Sequence, residues 1–473
     1  MSLNSQIVWR NPESAAKLLL FAFFTFYIQP AAGAQSQDRQ HEIQQLKDKL
    51  QQLDLMMGEV KAELNALERE GTQPSPRTPP LPPAAVAPPP TASAAAEKKK
   101  SEGTFDIFGF VMLDSGYNFQ QIDPNWYDVV RPTKLPAFKD EFGHDGNVFF
   151  SVRQTRFGVK SSTPTNLGDL KTWFEFELFG TGVDAGQTTF RLRQAYGELG
   201  HFGAGQTWSP FMDIDVFPNS IEYWGPNGMV FFRNVQFRWM PIKGDSRVTI
   251  AAERPGASAD GGIYADRIEL QGVKPKFDLP DLSIQGRLAR HWGYIQGASI
   301  FRKIGWVDVN KTPTRDLSRN VFGWGVTASS NVKVGEKNTA RLQVVYGKGI
   351  QNYMNDAPAD VAIQNDFSNR TAKGIPLPVL GVVSFLDHNW NQRFSTAAGY
   401  SLVNIWNSNG QVATAFHQGD YALANLLYHP VKDVMMGGEF QFGRRVNYSD
   451  GFNTNDYRLQ FSFKYNFAKS FSY

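Results

Sequence analysis

Residues 456–467 read DYRLQFSFKYNF, and their pattern indicates the fold class. Apolar side chains from Tyr457 to Phe467 occupy every second position, and Arg458, Gln460, Ser462 and Lys464 lie between them. Alternation with a period of two residues is typical of a β-strand whose two faces meet different surroundings. An outer membrane supplies such surroundings, with lipid on the apolar side and a water-filled lumen on the charged side.

Similar runs repeat from Phe105 to Phe467, and we count 16 of them. Their connections alternate between short ones (residues 243–246, 334–337, 389–392 and 429–432) and long ones (residues 120–147, 255–281 and 350–377). An even strand number with this asymmetry predicts a closed barrel with both termini on one side. A soluble β-sandwich or propeller is the alternative, although it would lack the lipid-type outer face. The predicted fold class is an all-β transmembrane, 16-stranded antiparallel outer-membrane β-barrel, preceded by a short periplasmic α-helical coiled coil.

Three segments precede the predicted barrel domain, which covers residues 104–473. Residues 1–34 have the order of a signal peptide: Arg10 and Lys17, an apolar run at 18–28, and AGA at 32–34. The alternative is an uncleaved anchor, but the run is shorter than the ~20 residues that a spanning helix needs. A heptad repeat of apolar residues predicts a coiled coil over residues 35–71. The Pro/Ala-rich composition of residues 72–103 predicts an extended linker. The heptad positions are Ile43, Leu46, Leu50, Leu53, Met57, Val60, Leu64 and Leu67.

The heptad pattern permits a trimer, because its a positions contain no asparagine that would specify a dimer. A single amphipathic helix packed on its own barrel is the alternative. The net charge of +3 and the lack of a basic block with stacking aromatics argue against nucleic acid as a partner. The chain has no cysteine, which excludes disulfides, thiolate metal sites and cysteine nucleophiles. No catalytic or phosphate-binding motif occurs, so we predict no enzyme, no cofactor and no metal site; a barrel-embedded Ser/His hydrolase remains an alternative.

The segment TFRLRQAYGEL, residues 189–199, indicates what the lumen contains. Alternation turns Phe190 and Leu192 toward lipid and Arg191 and Arg193 toward the lumen. The preceding strand turns Glu175 and Glu177 inward in the same way. Cross-strand ion pairs can brace the wall, and paired arginines keep unused donors that can meet a passing carboxylate. The predicted pore-lining set is Arg153, Arg156, Arg191, Arg193, Arg233, Arg238, Arg287, Arg445, Arg458, Glu175 and Glu177.

Arginines on the polar faces of several strands favour anionic solutes, since guanidinium groups match carboxylates in bidentate geometry. Each could instead lie at a membrane rim or an oligomer interface. Arg153 is ambiguous: strict alternation turns it outward and Arg156 inward, whereas a bulge would bring both inward. Residues 210–234 are too aromatic for a mobile surface loop, and we expect them to narrow the lumen. Asp213, Asp215 and Glu222 would form the acidic side of this constriction, and an extracellular lid or a clasp onto a neighbouring subunit is the alternative.

The chain resembles the DcaP-like family of outer-membrane porins through RQTRFGVK (153–160), FRLRQAYGEL (190–199), GAGQTWSPFMD (203–213), FGWGVTASS (322–330) and RLQFSFKYNF (458–467). The resemblance implies a homotrimer whose coiled coils project into the periplasm, and uptake of small anions, notably dicarboxylic acids. It also implies a basic pore wall at Arg153, Arg156, Arg191 and Arg193. The chain departs from the family in its Pro/Ala-rich linker and in AKSFSY after Phe467. The terminal aromatic residue that the barrel-assembly machinery usually recognises is therefore either Phe467 or Tyr473.

We therefore predict a porin of the Gram-negative outer membrane that forms a water-filled, anion-preferring diffusion channel, with its coiled coil in the periplasm. Its expected partners are outer-membrane lipid, lipopolysaccharide, small anionic solutes and two further copies of the chain. A general or phosphate-type anion channel would show a lysine ladder, which the strands lack. From another class, the alternative is a cell-envelope tether that uses the barrel as an anchor.

Overall fold

The computed structural model describes Lys47, residues 103–368 and residues 371–473. The predicted signal peptide, coiled coil and linker lie outside the described residues, apart from Lys47 and Gly103. Among the described residues, no helix has the length and hydrophobicity required to cross a membrane. From Gly103 onward, the helices in the described residues are single 3₁₀ turns at Pro124–Trp126, Pro132–Lys134, Gly182–Asp184, Ile214–Val216, Gly262–Tyr264, Ile268–Leu270 and Gln351–Tyr353.

Sixteen antiparallel strands form one closed barrel, as the alternating runs predicted. The main sheet has 18 segments, because β2 consists of two segments and Val273–Pro275 prolongs the wall beside β9. The strands are β1 Thr104–Asn118, β2 Asn147–Ser151 with Arg156–Thr165, β3 Gly168–Phe179, β4 Thr188–Leu199, β5 Phe202–Trp208, β6 Arg233–Ile242, β7 Arg247–Glu253, β8 Asp281–Arg290, β9 Gly293–Asp308, β10 Arg319–Val334, β11 Asn338–Lys348, β12 Pro378–Asn389, β13 Phe394–Ile405, β14 Phe416–Tyr428, β15 Val434–Asn447 and β16 Asn453–Ser472.

The pairing of β16 with β1 closes the barrel from Thr104↔Ser472 to Asn118↔Arg458. Residues after Phe467 therefore continue β16 and do not form a separate tail. The backbone N–H groups of Gly103 and Tyr473 donate to each other's carbonyl oxygens at 2.8 and 3.0 Å. Closure pairs every strand with two neighbours, which is the condition for strands that stand in hydrocarbon.

The two faces of the wall have the polarity predicted for a membrane barrel. On β16 the apolar side chains from Tyr457 to Phe467 are exposed, whereas Arg458, Gln460 and Ser462 are buried. Phe190 on β4 is likewise exposed, at 79%. An exposed apolar face with a buried polar face inverts the usual order of a soluble protein.

The two ends of the barrel differ in the length of their connections. One end carries seven turns of two to five residues, and β1 starts and β16 ends there as well. The other end carries the long connections, including residues 119–146, 209–232, 254–280 and 349–377. Short turns face the periplasm in barrels of this class, so the long connections belong to the outer side.

Arg302 on β9 fastens two of the long connections to the wall. Its guanidinium is fully buried and pairs with Asp281 at 2.9 Å and with Asp360 at 2.8 Å. It also donates to the carbonyl oxygens of Gly256 and Gly349. The same two connections share a small sheet of Ala259–Asp260, Val361–Asp366 and Thr371–Pro376, so they form one structure above the barrel.

Candidate functional site

The connection between β5 and β6, residues 209–232, lies inside the barrel; we call it the inner loop. Its backbone N–H groups donate to inward-facing side chains of the opposite wall. Ile221 donates to Glu439 at 3.0 Å, and Val230 donates to Gln343 at 2.9 Å. At Gly228 an added Cβ would lie 2.1 Å from the carbonyl oxygen of Leu402, so only glycine permits this close approach.

Apolar side chains of the inner loop bury part of the barrel interior. Phe211, Val216 and Met229 are fully buried, in one cluster with inward-facing residues of β9 and β11–β14. Val383 and Phe385 on β12 belong to that cluster. The interior is therefore divided into an apolar sector under the loop and a polar sector along β2–β6, which the alternation of single strands did not predict.

Four arginines and two glutamates meet on the polar sector. We define the arginine–glutamate cluster as Arg156, Arg191, Arg193, Arg233, Glu175 and Glu177. Arg193 binds both carboxylates, with Nε 2.6 Å from Glu175 Oε1. Glu177 is also approached by Arg156 at 3.5 Å and by Arg191 and Arg233 at 3.6 Å each.

A β-bulge allows both Arg191 and Arg193 to reach Glu177. Glu175 pairs with Gln194, but its neighbour Phe176 pairs with Leu192, so Arg193 is the additional residue of β4. A bulge of this kind redirects side chains locally. Simple alternation also turns both arginines inward. Beyond the bulge, from Gln194 to Leu199, it exchanges the lumen face and the lipid face, because it does not count the additional residue.

The cluster carries a formal charge of +2, from four guanidinium groups and two carboxylates, and part of it is accessible. The side chains of Arg191 and Arg156 are 31% and 25% exposed, compared with 5% for Arg193 and Arg233. Arg156 Nε and Arg233 Nη1 have no hydrogen-bond partner among the described residues. Both atoms are buried, so a carboxylate from solution can meet the cluster only at the exposed parts of the Arg156 and Arg191 side chains.

The inner loop contacts the cluster through Tyr223. Its hydroxyl hydrogen-bonds to Glu177, and Arg191 Nη1 donates to the Tyr223 oxygen at 3.4 Å. The start of the loop is held by Arg287, which pairs with Asp213 at 2.6 Å and also with Asp215. Asp213 is buried and accepts from Tyr294 and Ser329, whereas the Asp215 side chain is 47% exposed. Of the acidic residues predicted for the constriction, only Asp215 therefore offers an accessible carboxylate.

Three arginines predicted to line the pore are enclosed by other segments. Arg153 lies in the break of β2 and pairs with Asp128 at 2.6 Å, which corresponds to the inward, bulged alternative. Arg445 donates to the carbonyl oxygens of Thr133 and Thr414. Arg458 is fully buried, 4.0 Å from the Phe149 ring. Here the structure departs from the expectation of solute contact, because long connections cover inward-facing positions that alternation alone leaves open.

Arg238 is half-buried and donates to Gln236 and to the carbonyl oxygen of Trp208. Further inward-facing groups escaped the sequence analysis, and Arg341 and Tyr223 are two of them. Arg341 on β11 donates to Asp387 and to the Asp215 carbonyl oxygen, and the alternation of β11 could have revealed it. Tyr223 has no periodic signal, since it belongs to an irregular loop.

Glu222 belongs to the inner loop, is buried, and accepts from the backbone N–H groups of Val130, at 3.1 Å, and Gly225. Burial raises the pKa of Glu222 from 4.5 to about 8, although Arg458 and the two N–H groups favour its charged form. A raised pKa means that the docked loop is most stable below pH 4.5 and loses stability as the pH rises through about 8.

We expect current fluctuations of the open channel to increase as the pH rises through about 8. The Glu222→Gln variant has no carboxyl to ionise, so its fluctuations should depend less on pH over the same range. Single-channel recording at constant salt measures this difference. The same rise in both proteins would show that Glu222 does not control the docking of the loop.

A closed 16-stranded barrel with a lipid-type exterior, a charged interior and an inward-folded loop defines an outer-membrane channel of the porin type. The family model for DcaP outer membrane protein matches residues 102–467, and the chain belongs to this family. Its members are channels and not enzymes. No curated protein matches the chain.

Among solved structures, the outer membrane channel DcaP of Acinetobacter baumannii superimposes with a TM-score of 0.65 at 20% identity, over 79% of this chain and all of that chain. This similarity supports the barrel fold. An anion-selective porin from Comamonas acidovorans gives a TM-score of 0.48 at 11% identity, over 77% of this chain and all of that one. OmpT of Vibrio cholerae gives 0.46 at 12% identity, over 79% and 100% of the two chains.

Proposed function

We propose that this channel conducts small anions in preference to cations and that small dicarboxylates are its preferred solutes. The arginine–glutamate cluster carries the proposal, because its net charge of +2 is combined with two partly exposed guanidinium groups. Rings or patches of arginine in a pore attract anions and repel cations.

Lysines extend the positive surface along the inner face of the wall. Lys160 and Lys464 share the inner face with Arg156, and neither has a carboxylate within 4.0 Å among the described residues. Two unit charges 4 Å apart attract by ~1 kcal/mol in bulk water and by ~4 kcal/mol near a protein surface. A solute with two carboxylates can therefore meet two cationic groups at once, whereas a monocarboxylate meets one.

We propose further that three copies assemble in the membrane, with their coiled coils in the periplasm and with lipid and lipopolysaccharide around the barrels. The unbroken heptad pattern of residues 43–67 supports this assembly, and so does the family resemblance. The apolar outer face supports contact with lipid.

The reversal potential in a planar bilayer under a potassium chloride gradient tests the anion preference. We expect the sign that corresponds to a higher permeability for chloride than for potassium. A second recording compares succinate with acetate, and succinate should interrupt the current more often at equal concentration. A cation preference would overturn the proposal, and equal interruption by both acids would remove its dicarboxylate part.

A further inference from the structure

Besides the barrel interior, the structure has a cavity at the long-loop end, whose lining residues do not include the arginine–glutamate cluster. Its volume is about 740 Å³, within the range of small-molecule sites. On one side it is bounded by the prolonged wall, including Val273–Pro275 and the end of β9. On the other side it is bounded by the small sheet that Arg302 helps to hold, so both walls are anchored to the barrel.

The floor of this cavity is apolar. Ile304, Trp306, Leu317 and Ile363 line it. The Trp306 indole N–H donates to the Leu317 carbonyl oxygen at 2.8 Å, which leaves the ring itself as apolar lining. Gly374 packs against the same ring, because an added Cβ would lie 2.5 Å from Trp306 Cη2.

The rim of the cavity is cationic. Lys274, Arg319 and Lys373 line it, and all three are exposed. None of them has a carboxylate within 4.0 Å in the described part of the chain. Three acidic residues also line the cavity, and each has a partner: Glu269 pairs with Arg267, another lining residue, at 2.9 Å, Asp260 accepts from Gln411 at 2.7 Å, and Asp316 accepts from the Ser318 N–H at 2.8 Å. Five lining cations against these three carboxylates leave the lining with a formal charge of +2.

We propose that this cavity binds an amphipathic anion, namely a carboxylate or sulfonate attached to an aromatic body about the size of naphthalene. The aromatic body covers the apolar floor at Trp306, and the anionic group meets the cations of the rim. A small dicarboxylate would leave the floor uncovered. The site lies apart from the arginine–glutamate cluster, so it does not depend on the proposed ion preference of the pore.

Isothermal titration of the full-length protein in lipid nanodiscs tests the proposal with 1-naphthoate as the probe. We expect saturable binding, at least tenfold weaker binding of the neutral 1-naphthalenemethanol, and no measurable binding of succinate at this site. Trp306→Leu and the double variant Lys274→Gln/Lys373→Gln should each weaken naphthoate binding at least tenfold. Lys139→Gln/Lys432→Gln removes two charges from exposed positions in connections outside the cavity and should bind as the unaltered protein does.

The heat-dependent gel mobility of each variant confirms that its barrel is folded. Absence of saturable naphthoate binding to the unaltered protein would overturn the proposal. The same holds for binding that neither Trp306→Leu nor the double lysine variant weakens, since the probe would then occupy another place. Equal affinity for naphthoate and the neutral alcohol would overturn the anionic requirement.

Discussion

Replacing Arg156 and Arg191 together by glutamine is expected to lower the anion-over-cation permeability ratio about tenfold, which corresponds to ~1.4 kcal/mol. These are the two partly exposed arginines of the arginine–glutamate cluster. Their removal leaves Arg193 and Arg233 against Glu175 and Glu177, so the formal charge of the cluster falls from +2 to zero. The remaining two guanidinium groups are buried and offer little to a passing ion.

Reversal potentials under the same salt gradient measure this change. The matched control is Arg393→Gln/Lys432→Gln, which removes two positive charges from exposed positions in short turns. Salt screens charges beyond about 10 Å at 0.1 M, so the control should retain most of the selectivity. Equal losses in the two double variants would show that overall charge, and not the cluster, determines ion preference.

Replacing Arg193 by leucine should destabilise the barrel by about 3–5 kcal/mol, the usual cost of removing one partner of a buried ion pair. Arg193 is almost fully buried and forms the shortest ion pairs of Glu175 and Glu177. Without it, Arg156, at 3.6 Å, is the one cationic group left within 4.0 Å of Glu175 in the part of the chain that the structure describes. The loss should also loosen Tyr223, because its hydrogen-bond partner Glu177 would lose the contact with Arg193.

Urea-dependent loss of the folded gel mobility measures the free energy of unfolding in lipid vesicles. The matched rescue variant combines Arg193→Leu with Glu175→Gln, which removes the carboxylate that depends most on Arg193. We expect the rescue variant to recover part of the lost stability. If the double variant is as unstable as Arg193→Leu alone, lost packing of the arginine stem explains the effect and the ion pair does not.

Particular residues show how far prediction from the sequence extends. Alternation around Phe190 and Tyr457 identified the lipid face, and the inward turn of Arg191 and Arg193 followed from the same local rule. The rule succeeds because side-chain direction in a strand depends only on neighbours along the chain. It did not foresee the bulge at Arg193 or the continuation of β16 to Ser472, since both depend on the paired strand.

The sequence alone determined the strand count, the two faces of the wall and the residue types that meet water inside it, because those properties are local and periodic. Which inward arginines remain exposed depends on tertiary packing. Arg156 and Arg458 obey the same alternation, yet the first is partly exposed and the second is fully buried. The difference arises because the covering segments come from distant parts of the chain, and their position depends on packing against the whole interior and not on any period within a strand.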